Sequence, residues 1–323
     1  MSNEHFFITG AMGCIGAWVV RNLIRDGAAI TVFDLSRNKH RLELIMEPEE
    51  VAQITFVHDD ITKTDNVVNA VEASKATHII HLAALQVPFC KADPVLGAAV
   101  NVVGTVNMFE AAKQVGIKHM VYASSLGVYG PKDLYGDGLI NDQSPYHPMT
   151  HYGVYKQANE GTARVYWHDD GIASLALKPY TIYGPGRDQG MTSTPTRAML
   201  AAAAGKEYRI TFGGSCGMQY VDDVAKTFVR LAHTPFEGAA CYNIQGNIVH
   251  MQAVVDAIVA AEPSAEGKIT FEEPGLPFPE GQEETALREL LGDVPNTPLA
   301  DGVAQTIAHF KQSLVDERIA WEM

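Results

Sequence analysis

The segment from His5 to Gly16 constrains this chain more than any other. Five mostly apolar residues, HFFIT, run directly into Gly10-Ala11-Met12-Gly13-Cys14-Ile15-Gly16. A strand that must turn at once into a helix needs glycine at three places, each for its own reason. Gly10 permits the tight exit from the strand, Gly13 lets the backbone approach a pyrophosphate, and Gly16 allows the helix to lie close on the sheet. An acid, Asp34, then closes the second apolar run, Ala29 to Asp34, where a carboxylate can hold ribose hydroxyls.

The rest of the first half repeats the same alternation. Strands are expected at His5 to Thr9, Ala29 to Asp34, Ile54 to His58, Thr77 to Leu82, His119 to Ser124 and Ala173 to Lys178. Helical patterns fall between them, near Ile15 to Asp26, Asn66 to Ser74, Val95 to Val115 and His151 to Asp170. Repeated strand-helix-strand units with continuously apolar strands predict a parallel sheet covered on both faces, an α/β doubly wound nucleotide fold. Beyond Lys178 the pattern loosens. A turn is expected at Gly213-Gly214-Ser215-Cys216-Gly217, helices near Pro195 to Ala204, Asp222 to Ala232 and Met251 to Ala261, and a surface loop from Glu272 to Gly281 before two terminal helices.

Composition excludes several function classes. The chain is 46% hydrophobic and 19% charged, enough for a full core, and its net charge of −14 opposes binding to nucleic acid or to anionic membranes. No basic cluster offsets that charge. No apolar run is read as reaching the length of a bilayer span, and no basic segment followed by an apolar core opens the chain, so a cytoplasmic address is expected. The four cysteines, Cys14, Cys90, Cys216 and Cys241, show no metal or disulfide spacing. The tightest histidine pair, His78 and His81, would point to opposite faces of a strand, so no metal site is expected.

Catalytic chemistry is suggested by Tyr152-Gly153-Val154-Tyr155-Lys156, which follows the serine pair Ser124-Ser125 by about thirty residues. A tyrosine and a lysine four apart share one helix face, and a nearby ammonium favours the phenolate, drawing the phenol toward the range where it can exchange protons with a substrate hydroxyl. Together with the glycine turn, and with His81-Leu82-Ala83-Ala84, Asn101 to Thr105, Tyr183-Gly184-Pro185-Gly186-Arg187 and Tyr220-Val221-Asp222-Asp223-Val224, the chain resembles the extended short-chain dehydrogenases, the NAD-dependent epimerase/dehydratase family.

That resemblance implies a Rossmann fold with a smaller C-terminal substrate domain. Residues 1–178 and 221–246 would form the NAD-binding part, and residues 179–220 and 247–323 the substrate part. It implies catalysis by Ser125, Tyr152 and Lys156, Ser125 being the serine that aligns when counted back from Val128-Tyr129-Gly130. The implied NAD contacts are Gly10, Met12, Gly13, Cys14, Ile15, Gly16, Asp34, Asp60, Ile61, Leu82, Ala83, Ala84, Asn101, Tyr152, Lys156, Tyr180 and Ile182. Asp34 argues for NAD over NADP, against the nearby Arg37 and Lys39. Gln86, Ser125, Thr181 and Arg187 are expected to meet a small carbohydrate-like substrate, and the helices Val95 to Val115 and His151 to Asp170 to pair in a homodimer. Asp222-Asp223 is read as a helix cap rather than an acid pair.

Departures from the family pattern narrow the chemistry. Leu126-Gly127 stand where dehydratases of the family carry an Asp-Glu pair, which disfavours dehydration. Thr181 and the arginine-free Cys216 to Tyr220 segment stand where nucleotide-sugar epimerases hold a diphosphate. Three readings remain: an NAD-dependent dehydrogenase of a small sugar, polyol or sugar acid, a sugar or nucleotide-sugar epimerase, and a non-catalytic nucleotide-sensing protein.

Overall fold

A seven-stranded, fully parallel sheet forms the centre of the molecule, which is described from a computed structural model covering residues 4–136 and 138–321. The strands among the described residues are β1 (His5–Thr9), β2 (Ala29–Asp34), β3 (Thr55–His58), β4 (His78–His81), β5 (His119–Ala123), β6 (Ala173–Lys178), β7 (Thr181–Tyr183), β8 (Tyr208–Ile210), β9 (Ser215–Tyr220), β10 (Ala239–Asn243), β11 (Asn247–His250) and β12 (Ile269–Phe271). The central order is β10-β6-β5-β4-β1-β2-β3; a second sheet runs β11-β9-β7, and β8 pairs with β12.

Strand alternation explains why the central strands read as continuous apolar runs. Phe6, Ile8, Ile30, Val32 and Ile80 pack into one core, while Phe7, Phe33 and Ile79 pack into another on the opposite face. The first face is covered by α1 (Cys14–Arg25). After it come α2 (His40–Ile45), α3 (Pro48–Val51), α4 (Thr64–Ser74), α5 (Val87–Ala92), α6 (Pro94–Ala98), α7 (Gly104–Val115) and α8 (His151–Asp170). Helices α4, α7 and α8 cover the second face. The remaining helices are α9 (Thr194–Ala203), α10 (Val221–His233), α11 (Met251–Ala261), α12 (Thr285–Leu291) and α13 (Leu299–Val315). Of these α10 returns to the first face beside α1, and α9, α11 and α13 pack on one another and extend that core.

The chain order reverses at β1, which pairs in parallel with β2 on one side and with β4 on the other. Such a switch point opens a crevice at the carboxyl ends of the strands, and the site lies there.

Two expectations are corrected. Ser215, Cys216 and Gly217 belong to β9 rather than to a turn; only Gly213 and Gly214, the latter at φ +64°, make the bend. Gly217 sits there because a side chain would stand 2.9 Å from the Gln245 carbonyl oxygen. Pro94–Val115 forms one helical stretch of 22 residues through a wide π-type turn at Ala99–Val103, long and apolar enough by length and composition to cross a membrane. Half of it is buried, and it packs on α4 and α8 as a core helix, with Asn101, Thr105 and Asn107 hydrogen-bonded inside.

Candidate active site

The cleft at the switch point has a volume of about 600 Å³ and is floored by the glycine turn. Gly10 adopts φ +73°, and a Cβ there would lie 2.5 Å from the Ala83 amide nitrogen. A Cβ on Gly16 would stand 2.3 Å from the Gly10 carbonyl oxygen, so helix α1 could not approach with any larger residue. Gly13 caps α1 with no side chain over the helix amides, leaving them open to an anion. Asp34 lies across from this turn. Its Oδ2 accepts from the Met12 amide at 3.1 Å and its Oδ1 from the Ser36 amide at 2.9 Å. Burial raises its pKa, and those two amides together with His58 and Arg41 oppose the rise.

Met12, Cys14, Ile15, Asp60, Ile61, Leu82, Ala83, Ala84, Tyr180 and Ile182 all line the same cleft. Asp60 also accepts from the Thr62 amide, so it shapes the strand-end turn as well as the wall. Asn101 does not line the cleft. Its side-chain amide accepts from the Leu85 amide at 2.7 Å and donates to the Leu85 carbonyl at 2.9 Å, bracing the loop that carries Gln86. Cys14 is no thiolate, since desolvation pushes its pKa up to about 12.

At the other end of the cleft three side chains converge. Thr150 caps α8 by accepting from the Gly153 amide, and the first turns of that helix present Tyr152 and Lys156 to the end of β5. The Ser125 hydroxyl donates toward Tyr152 Oη, and its Oγ accepts from the Gly127 amide at 3.0 Å. Lys156 is 4% exposed; its Nζ donates to the Ala123 carbonyl at 2.6 Å and lies 5.7 Å from the centre of the Tyr152 ring. Burial lowers the lysine's pKa to about 8.

Burial also raises the pKa of Tyr152, against the lowering effects of Ser125 and Arg187. This corrects the expectation that the lysine sets the phenol: desolvation outweighs nearby positive charge. Ser124 turns inward instead and donates to the buried Glu160, which also accepts from Tyr146 Oη at 2.5 Å. Both serines line the cleft, but the Ser124 hydroxyl is taken up by Glu160 while the Ser125 hydroxyl sits beside Tyr152.

On the substrate side Gln86 and Arg187 line the cleft, but Thr181 does not. Side chains alternate along β7, so Tyr180 and Ile182 face the cleft while Thr181, fully buried, faces away. Neither Arg197, whose guanidinium lies over Tyr208, nor Arg209, which faces Glu272, lines it. His81 is structural, since Nδ1 meets Thr9 Oγ1 at 2.7 Å and Nε2 meets Thr105 Oγ1 at 3.0 Å, and burial drops its pKa to about 3. Asp223 accepts from the Thr297 amide and hydroxyl, tying α10 to a distant loop rather than doing proton chemistry.

Sequence reasoning missed a clasp over the glycine turn. Arg41, from α2, donates to the Met12 carbonyl at 2.6 Å, to the Gly186 carbonyl at 3.1 Å and to Asp188 Oδ1 at 2.6 Å. His40 meets the other Asp188 oxygen at 3.0 Å. Burial raises the Asp188 pKa, but hydrogen bonds from Arg41 and His40 outweigh it and hold the carboxyl below its ordinary range. No local pattern marks these residues, because the clasp joins segments some 150 positions apart.

The family model for the NAD-dependent epimerases and dehydratases matches residues 6–244. The chain belongs to that family. UDP-glucose 4-epimerase of Mycolicibacterium smegmatis is 31% identical over 314 residues, covering 94% of this chain and 97% of that protein. Among solved structures, the UDP-glucose 4-epimerase of Thermus thermophilus in complex with NAD superposes with a TM-score of 0.81 at 25% identity, covering 95% of this chain and 99% of the other. An L-threonine dehydrogenase from Cupriavidus necator shares the fold with a TM-score of 0.80 at 20% identity, over 94% and 99% of the two chains. The protein is thus an NAD-dependent enzyme of the epimerase/dehydratase family. Its cleft fits the dinucleotide, with a side-chain-free cradle at the first turn of α1 and Asp34 opposite.

Proposed function

We propose that the protein oxidises one hydroxyl of a small, carbohydrate-like substrate to a carbonyl, or reduces that carbonyl back to the hydroxyl. The observation that carries this reading is the convergence of Ser125, Tyr152 and Lys156 at one end of a cleft whose other end is built for a dinucleotide. NAD, when bound, supplies the hydride acceptor. Tyr152 takes the proton of the substrate hydroxyl at its Oη as the carbon is oxidised. Ser125 holds the reacting oxygen in line with that phenol. Lys156, fixed by the Ala123 carbonyl, keeps two further donor positions for the cofactor ribose and stabilises the phenolate form of Tyr152 that accepts the proton and becomes the neutral phenol. Gln86 and Arg187 orient the remainder of the substrate.

The chemistry divides along the chain, with residues 1–178 and 221–246 holding NAD, and residues 179–220 and 247–323 closing over the substrate. Exposed apolar residues on the two outer helices, Val95 and Val103 on one and Val154 and Val165 on the other, support pairing of two copies through that face. The test is a panel of polyols, aldoses, sugar acids and nucleotide sugars followed at the NADH absorbance band. Stoichiometric NADH release from a small substrate is expected.

A second reading is favoured by the 31% identity to a UDP-glucose 4-epimerase. In it the oxidised carbon regains its hydride on the other face, and no net NADH leaves. Turnover of a UDP-sugar with constant cofactor absorbance would establish that alternative and displace the first.

A further inference from the structure

Arg187 is a guanidinium without an anion. It stands in the loop after β7 and lines the cleft that also holds Tyr152. Its Nη2 donates to Thr192 Oγ1 at 3.0 Å, but its Nε is sealed from solvent and has no hydrogen-bond partner among the described residues. No carboxylate among those residues forms an ion pair with it. The adjacent Asp188 is the obvious counterion, and Arg41 and His40 already occupy it. An unpaired cation held away from water is costly, and a guanidinium edge with a free N–H is shaped for a planar carboxylate.

We propose that Arg187, flanked by Gln86 and Thr192, receives a carboxylate of the substrate, so that the enzyme acts on small hydroxy acids of the sugar-acid class rather than on neutral polyols or nucleotide sugars. This deepens the oxidoreductase reading above and rests on it. The cleft wall also carries the acids Asp34, Asp59, Asp60 and Asp188. Of its two guanidiniums among the described residues, Arg41 is engaged by Asp188, which leaves one for a ligand of one negative charge. A diphosphate would bring more charge than this corner can match. The corner is also shaped around its polar groups. Gly190 adopts φ +97°, and a Cβ there would fall 2.0 Å from Gln86 Oε1 and 3.3 Å from Arg187 Nη2. The same guanidinium favours the Tyr152 phenolate. Arg187 and Tyr152 line one cleft, so a carboxylate seated on Arg187 keeps the rest of its owner in the space the phenol faces.

The test measures binding rather than turnover. The full chain, saturated with NAD, is titrated with D-galacturonate, D-gluconate and D-glycerate against their uncharged counterparts D-galactose, D-glucitol and glycerol, by calorimetry and thermal shift. At least one acid is expected to bind about tenfold or more tightly than its neutral partner. Arg187→Met should abolish that preference and leave NAD affinity within about twofold, while Arg187→Lys recovers part of it through charge alone. Equal binding of acid and neutral partners, no binding of any acid at millimolar concentration, or acid binding unchanged in Arg187→Met overturns the proposal. A large loss of NAD affinity in Arg187→Met also overturns it, by assigning the guanidinium to the cofactor pyrophosphate. An acid that binds through Arg187 without reducing NAD would instead sink the oxidoreductase reading and leave this one standing.

Discussion

Replacing Tyr152 with phenylalanine isolates the proton transfer from everything else the site does. The substitution removes one oxygen and keeps the ring that packs against Gly127, whose own Cβ would lie 3.5 Å from Tyr152 Cδ1. Ser125 loses one partner but still accepts from the Gly127 amide, and Lys156 keeps its Ala123 carbonyl. The cost to folding is one hydrogen bond, about 1 kcal/mol, reduced because a buried phenol no longer needs to be desolvated. The cost to the reaction is the whole contribution of a positioned general base, about 100- to 10,000-fold, or roughly 3–5 kcal/mol of barrier. Single-turnover NADH formation with the substrate found in the panel measures it, alongside calorimetric NAD titration and a melting curve. A variant within about tenfold of the parent rate, with NAD affinity intact, would refute the assignment of Tyr152 as the proton-transfer residue.

Asp34→Asn should weaken NAD by roughly tenfold and raise the NADP to NAD affinity ratio, because a charge-assisted acceptor at the ribose is lost along with repulsion of a 2′-phosphate; an unchanged ratio in paired titrations refutes this. Gly16→Ala should lower stability by about 1–3 kcal/mol and loosen NAD, since both nearest contacts are backbone and cannot rotate away; an unaltered denaturation midpoint would count against the close-packing argument. Lys156 carries a pH signature. Its folded pKa of about 8 lies below the unfolded value of 10.5, so the unfolded chain binds more protons between those limits. The cost of burying its charge is full below pH 8 and is relieved as pH rises to 10.5. The stability of the parent relative to Lys156→Met should therefore climb across that window, and a flat difference would show that the ammonium is better solvated than its burial implies.

The central sheet was legible because its strands are buried on both faces, so HFFIT, AITVFD and ASLALK each carry a signal that needs no partner. The strands β7, β8, β11 and β12 are three or four residues long and half defined by their neighbours, so no window of sequence isolates them. Within the site, residues fixed by a local turn were readable, among them Gly10, Gly16, Ser125 and Tyr152. Thr181 was misread because one position along a strand exchanges the cleft for the opposite face, and a family motif does not report which face a neighbour takes. Asn101 was read as a cofactor neighbour on its position in a motif, whereas its amide is consumed by Leu85. Arg41 and Asp188 carried no signal at all, since their pairing exists only after β7 has crossed back toward α2.

The edge position of β10 has a consequence for how the chain is made. It pairs with β6, which precedes it by some 60 residues, and α10 must lie over β4, β5 and β6 before that face is closed. A ribosome that has released the first six strands has therefore released a sheet with β6 exposed as an edge and one partly bare face. The face stays partly bare until α10 has emerged, and β6 stays an edge strand until residue 243 has, and exposed edges and bare apolar faces are where nascent chains aggregate. A fragment ending at residue 178 would keep the whole glycine turn and the Ser125-Tyr152-Lys156 cluster, yet should be insoluble. During synthesis, residues 221–243 complete and cover the sheet that residues 5–178 build.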